Sequence, residues 1–190
     1  MSSRALVIPL VVASMALGGC GKSSPPRASE ATDTQLVQAG LLAVQQGDDV
    51  AALHAFSTAA DKQPKNFYAQ YNVGVLLQKK GQTDRALAAY GRSLTANPSY
   101  VPALFNEATL FGLSNPALAI DTYLRVIKLQ PKAPTAYLNL GLLEAKIGLF
   151  DRARSDLSTA IKQDGTLVSA VPKNVFSGEH PTAPSPSATR

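Results

Sequence analysis

Cysteine, histidine and tryptophan are almost missing from this chain: one cysteine, two histidines and no tryptophan in 190 residues. A single cysteine excludes an internal disulfide and a cysteine-rich zinc site. His54 and His180 have no partner at a fixed spacing, so no histidine-based metal or catalytic constellation can be written. No serine stands in a nucleophile elbow, and the acidic residues, Glu107, Glu144 and Asp156 among them, read as dispersed along wet helical faces. Gly21, Lys22 and Ser23 match the end of a phosphate-binding loop, but that motif needs a glycine five residues before Gly21, where Ala16 stands. An enzyme is not expected, and neither is a cofactor or a metal.

Charge is also sparse. Only 16% of residues are charged, with 18 basic against 13 acidic and a net charge of +5. Lys79–Lys80 is the one adjacent basic pair and Asp48–Asp49 the one adjacent acidic pair. Charge so scattered is a poor fit to a nucleic-acid surface, so no nucleic-acid partner is expected.

Long apolar runs are limited to Ala5–Leu17, after a single charge at Arg4. At 1.5 Å per residue that run makes about 20 Å of helix, short of the roughly 30 Å hydrocarbon core. It reads as a cleaved signal over residues 1–19. Leu17, Gly18, Gly19 and Cys20 then resemble the lipobox of bacterial lipoproteins. The resemblance implies that Cys20 carries acyl chains such as palmitate. It also implies that the mature protein is anchored on the extracytoplasmic face of the bacterial cell membrane. Gly21, where an aspartate would favour inner-membrane retention, permits the outer membrane if the organism has one. Residues 20–32 form the acylated cysteine and a polar, proline-containing tether.

What the chain does have is a repeat. Ala52 and Phe56 recur as Ala86 and Tyr90, as Ala119 and Tyr123, and as Ala153 and Leu157, at intervals of 34, 33 and 34 residues. Four units over 33–165, about 33–66, 67–100, 101–133 and 134–167, predict a stack in which no single unit buries its own apolar face. Gly47, Gly81 and Gly148 mark the turn inside repeats one, two and four, where a left-handed residue suits glycine. In repeat three that turn falls to Ser114, Asn115 and Pro116, with Asn115 expected in the left-handed region. Pro64, Pro98, Pro131 and finally Gly165 end the units. The punctuation predicts helices over 34–46, 50–62, 67–80, 84–96, 101–113, 117–129, 135–147 and 151–163.

Gly40, Gly74, Ala108 and Gly141 fall in the middle of the first helices, where a small side chain lets the second helix approach. Leu36, Phe56, Leu77, Tyr90, Phe111, Tyr123, Tyr137 and Leu157 are expected to fill the remaining space. Together, the small residues, the Ala and aromatic landmarks and the closing prolines resemble the tetratricopeptide repeat family. The segments YNVG (Tyr71–Gly74) and YLNLG (Tyr137–Gly141) match it best. The resemblance implies an all-α fold, a right-handed superhelical solenoid of about four helix-turn-helix repeats. It also implies protein–protein interaction through a concave groove lined by the first helices.

That lining should include Val37, Leu41, Tyr68, Tyr71, Val75, Phe105, Thr109, Leu138 and Leu142. Asn72, Asn106 and Asn139 would form a ladder one repeat apart, either holding the backbone of an extended peptide or tying neighbouring helices together. A basic carboxylate clamp is missing, with only Lys79 and Lys146 near the rim. Leu167, Val168, Ala170 and Val171 are the available cover for the last helix, and the proline-rich residues from Val171 to Arg190 are expected to be disordered. The reading is an envelope adaptor or scaffold that binds segments of other envelope proteins. Two alternatives stand beside it. One is a homodimer formed through the last helix around Leu157 and Ile161, and the other is a carrier of a small hydrophobic ligand.

Overall fold

The computed structural model describes residues 32–176. The signal segment, Cys20, the tether before Thr32, His180 and the tail after Phe176 lie outside the described residues. Among the described residues the chain is all-helical. Its helices are α1 (Asp33–Gln45), α2 (Asp49–Lys62), α3 (Phe67–Lys79), α4 (Thr83–Ala96), α5 (Val101–Ser114), α6 (Pro116–Leu129), α7 (Pro134–Lys146) and α8 (Phe150–Gln163). Each expected boundary falls within one residue of the observed one.

The helices start where side chains cap orphan amides. Thr32 and Gln35 form a reciprocal capping box at α1. Asp48 accepts from the Val50 and Ala51 amides, and Asn66 accepts from the Ala69 amide. Gly47, Gly81 and Gly148 have φ of 74°, 72° and 85° and so turn the chain out of α1, α3 and α7. Repeat three differs from expectation. Asn115 has φ −143° rather than a left-handed value, and its side chain caps α6 by accepting from the Leu118 amide at 3.2 Å. With Pro116 in the first helical position, one residue ends α5 and starts α6, which accounts for the 33-residue spacing.

Each first helix packs on its own second helix, each second helix packs on the next first helix, and α3 also touches α5 as α5 touches α7. A Cβ on Gly40 would lie 2.8 Å from the Phe56 ring, on Gly74 2.5 Å from Tyr90, and on Gly141 2.7 Å from Leu157. The small residues therefore set the helix separation, and Phe56, Tyr90 and Leu157 are sealed completely from solvent. Burying each such side chain contributes roughly 1.5–3 kcal/mol. Phe111 and Tyr137 pack against the core but are only half-buried, and Leu104, Leu140 and Val126 are sealed within it.

The last helix is covered differently from expectation. Residues Gly165–Ala170 and Lys173–Val175 form two short 3-10 helices. Val171 and Val175 bury themselves against Leu138, Ala153, Leu157 and Ala160, with Leu167 partly buried beside them. Val168 and Ala170 point outward. Residues 171–176, where the prolines suggested a disordered tail, are thus ordered. Leu157 is buried and Ile161 partly so, so these two residues do not present the open apolar face expected around them, while Ile147, Leu149, Val168 and Phe176 are exposed. No helix among the described residues is long and apolar enough to cross a membrane.

Candidate functional site

The asparagine ladder is built into the joints between repeats. Asn106 is 8% exposed, and its amide nitrogen donates to the Tyr90 hydroxyl at 3.2 Å and reaches the Tyr71 hydroxyl at 3.5 Å. Tyr90 in turn donates to Gln78 at 2.6 Å. Asn139 stands by Tyr123, lining one pocket with it, and helps hold its phenol pKa down, and the Tyr123 hydroxyl meets Thr109 Oγ1 at 3.0 Å. Asn72 has no hydroxyl to meet, because Phe56 occupies the corresponding place, and it donates to the Tyr68 carbonyl at 2.8 Å. In each case the asparagine follows the second-helix aromatic by sixteen residues: Phe56 and Asn72, Tyr90 and Asn106, Tyr123 and Asn139. Burial raises the pKa of Tyr71, Tyr90 and Tyr123, so these phenols stay neutral and able to donate at ordinary pH. Asn106 is therefore not a free groove residue.

Tyr71 and Leu138 also belong to the core and not to an open lining. Tyr71 packs edge-on against Tyr100 at 5.2 Å and lies 5.9 Å from Tyr90. Val37, Leu41, Tyr68, Val75, Phe105 and Leu142 are partly buried. Phe105 meets Tyr123 edge-on at 5.8 Å. Lys79 does not stand free at the rim, because it bridges to Asp49 of α2 at 2.6 Å.

Three of the expected lining residues do converge. Thr109, Asn139 and Leu142, with Gly112, Leu113, Tyr123 and Leu143, line an open pocket of about 140 Å³ between α5, α6 and α7. Its walls are leucine, and its polar corner is the Thr109–Tyr123–Asn139 cluster. Gly112 opens it: a Cβ there would meet only a Leu143 methyl, at 3.9 Å. The other repeats carry Val44, Gln78 and Ala145 at this position. Gln78 fills its site and accepts from Tyr90, whereas in repeat three Thr109 bonds Tyr123 and the glycine leaves the space empty. Gly112, Leu113 and Leu143 were not anticipated. The signal available was a mid-helix glycine one turn past the small residue of repeat three.

Two other features depart from the sequence reading. Gln70 stands where the other repeats place Leu36, Leu104 and Tyr137, and is 5% exposed. Its carbonyl oxygen accepts from Arg92 Nε at 2.9 Å beside an outer cleft of about 480 Å³ between α2, α3 and α4. Glu144, expected on a wet face, is 2% exposed.

Comparison with known proteins fixes the family. The tetratricopeptide repeat model matches residues 37–102 and 108–167. The chain belongs to the tetratricopeptide repeat family. A curated relative is the tetratricopeptide repeat and J domain-containing co-chaperone DNJ1 of Fusarium oxysporum f. sp. lycopersici. It is 31% identical over 120 residues, which is 60% of this chain and 23% of that protein. The chain spans between 9% and 58% of the curated relatives it matches. Among solved structures, MamA superposes with a TM-score of 0.68 at 21% identity, covering 73% of this chain and 76% of that one. YrrB, described as a tetratricopeptide repeat protein with an unusual peptide-binding site, superposes with a TM-score of 0.65 at 20% identity, covering 70% of each. At these identities the likeness is one of fold.

Proposed function

We propose that this protein is a non-catalytic tetratricopeptide adaptor that binds extended segments of other cell-envelope proteins, with the pocket between α5 and α7 as its anchor point. The observation that carries this reading is the convergence of Thr109, Asn139 and Leu142 around the space left by Gly112. A volume of about 140 Å³ is close to that of an engineered cavity, roughly 150 Å³, that holds benzene. It suits one leucine- or phenylalanine-sized side chain and is too small for a whole acyl chain. The polar corner suits the backbone amide beside such a side chain. Lipid on Cys20, read from Leu17, Gly18, Gly19 and Cys20, would hold the adaptor on the extracytoplasmic face of a bacterial membrane.

The test is recovery of partners from detergent-solubilised envelope with the full chain beside two variants. Gly112→Leu fills the pocket; Gly112→Ala leaves most of it open. Partners retained by wild type and Gly112→Ala but lost by Gly112→Leu support the reading. Partners retained equally by all three would remove the pocket from it. For the anchor, Cys20→Ser should abolish palmitate incorporation and move the protein out of the membrane fraction. A variant that stays acylated or membrane-bound contradicts the lipid reading.

A further inference from the structure

The last repeat differs from the other three inside its own helix pair. Three residues past the central small residue, repeats one to three carry Ala43, Leu77 and Phe111, while repeat four carries Glu144. Three residues past the second-helix alanine they carry Ala55, Ala89 and Thr122, while repeat four carries Asp156. Both changes fall in one place, so a contact that is mainly apolar elsewhere becomes a pair of carboxyl groups between α7 and α8.

We propose that Glu144 and Asp156 form a proton-operated latch: a shared proton closes α8 onto α7, and its loss loosens the last repeat, which carries one wall of the groove. Burial favours sharing. The Glu144 side chain is 2% exposed, and its Oε2 finds no donor among the described residues. A proton on Glu144 gives that carboxyl a hydrogen to donate to the half-buried Asp156 carboxylate. Removing the proton sends it to water and leaves two like charges in contact. The countercharge is weak, because Arg152 Nε stands 3.7 Å from Glu144 Oε1 and its side chain is 62% exposed. Arg152 and Asp156, both on α8, are the charged groups that act on Glu144. Of the other helices packed on α7, α6 presents Asp121 and Lys128 to solvent, and its Arg125 interacts with Glu107 of α5.

Burial first, and then the Asp156 carboxyl, push the Glu144 pKa up to about 7. A carboxyl whose folded pKa lies above its unfolded value stabilises the fold fully below the unfolded value, near 4.5, and loses that contribution as pH rises through the folded one. The loosening window is therefore about pH 5 to 8. Leu142 and Leu143, immediately before Glu144, line the pocket between α5 and α7. An effect on ligand binding thus rests on the adaptor reading, whereas the latch itself does not.

The two are separated by measuring the latch without a ligand. Amide hydrogen exchange of the full chain, corrected for the intrinsic pH dependence of exchange, should show α7–α8 protection falling roughly tenfold between pH 6 and pH 8. The α1–α4 amides should hold steady. Glu144→Gln, whose amide nitrogen donates to Asp156 at every pH, should keep α7–α8 protection flat over that range. Glu144→Leu, which restores the repeat-two residue, should do the same if the glutamine variant folds poorly. The carbon-13 shift of the Glu144 carboxyl should titrate near neutral pH. Equal pH profiles for wild type and Glu144→Gln, or a Glu144 carboxyl titrating near 4.5, would overturn the latch. A pH-dependent latch in a protein that captures no partner would leave the latch standing and reject the adaptor reading.

Discussion

Alanine at Gly74 should weaken the protein although alanine is the better helix former. A methyl on this residue would stand 2.5 and 2.6 Å from two ring carbons of Tyr90, well inside contact distance. That ring cannot swing away. It is fully buried, and its hydroxyl is held by Gln78 and Asn106. The helices must separate or the ring must strain, an overpacking cost of about 1–3 kcal/mol. Helix propensity returns about 1 kcal/mol, leaving a net loss of up to about 2 kcal/mol. For a chain of this size each kcal/mol lowers the midpoint by about 2–4 °C, so Gly74→Ala should melt below wild type by up to about 8 °C. Gly112→Ala is the matched control. It meets only one methyl at 3.9 Å, so the propensity gain stands and the protein should become about 0.5–1 kcal/mol more stable. Thermal melts followed by circular dichroism compare the two directly. A Gly74→Ala protein as stable as Gly112→Ala would refute the claim that the central small residues set the helix separation.

Three further outcomes are expected. Asn106→Ala, which empties a buried joint beside Tyr71 and Tyr90, should cost about 1–3 kcal/mol in urea unfolding, while Asn72→Ala, with a half-buried side chain bonded only within its own helix, should cost under about 0.5 kcal/mol; equal costs would place both in one role. Gly148→Ala puts a Cβ at φ 85° and should lose about 1–2 kcal/mol, whereas Gly91→Ala, with open space around it, should lose nothing; the same melts compare them. Val175→Asp should lift the cover from Leu157 and Leu138, which wild type keeps buried, and produce dimers visible by light scattering; a variant scattering as wild type does would show the cover to be dispensable.

The helices were legible because glycine and proline punctuate every turn and because a turn needs what those residues supply. The core was legible for the same kind of reason: a 34-residue period repeats Ala52 and Phe56 in place, and burial follows the period. Asn106 was harder to place. Read along its own helix it faces the groove, and only the sixteen-residue offset from Tyr90 shows it bonding back into the preceding repeat. Polar side chains that cross a joint are chosen by their partner, which helical periodicity alone does not report. Asp156 and Glu144 were read as solvated because a charged residue on a helix usually is, and the burial of Glu144 beside a half-buried Asp156 makes sense only when the four repeats are laid over one another. Gly112 escaped because it departs from the repeat: the pocket exists through a missing side chain, which no motif records. The cover escaped in part because Pro172 suggested disorder, while Val171 and Val175 on either side of it supply enough apolar surface to close the stack.

The most direct test of the adaptor reading is chemical-shift mapping on the isotopically labelled protein, using the tightest peptide selected from a random library. The account predicts shifts concentrated at Thr109, Gly112, Leu113, Asn139 and Leu142, and their loss in Gly112→Leu. Shifts gathered instead at Gln70 and Arg92 on the outer cleft, or a library that yields no peptide at all, would contradict it.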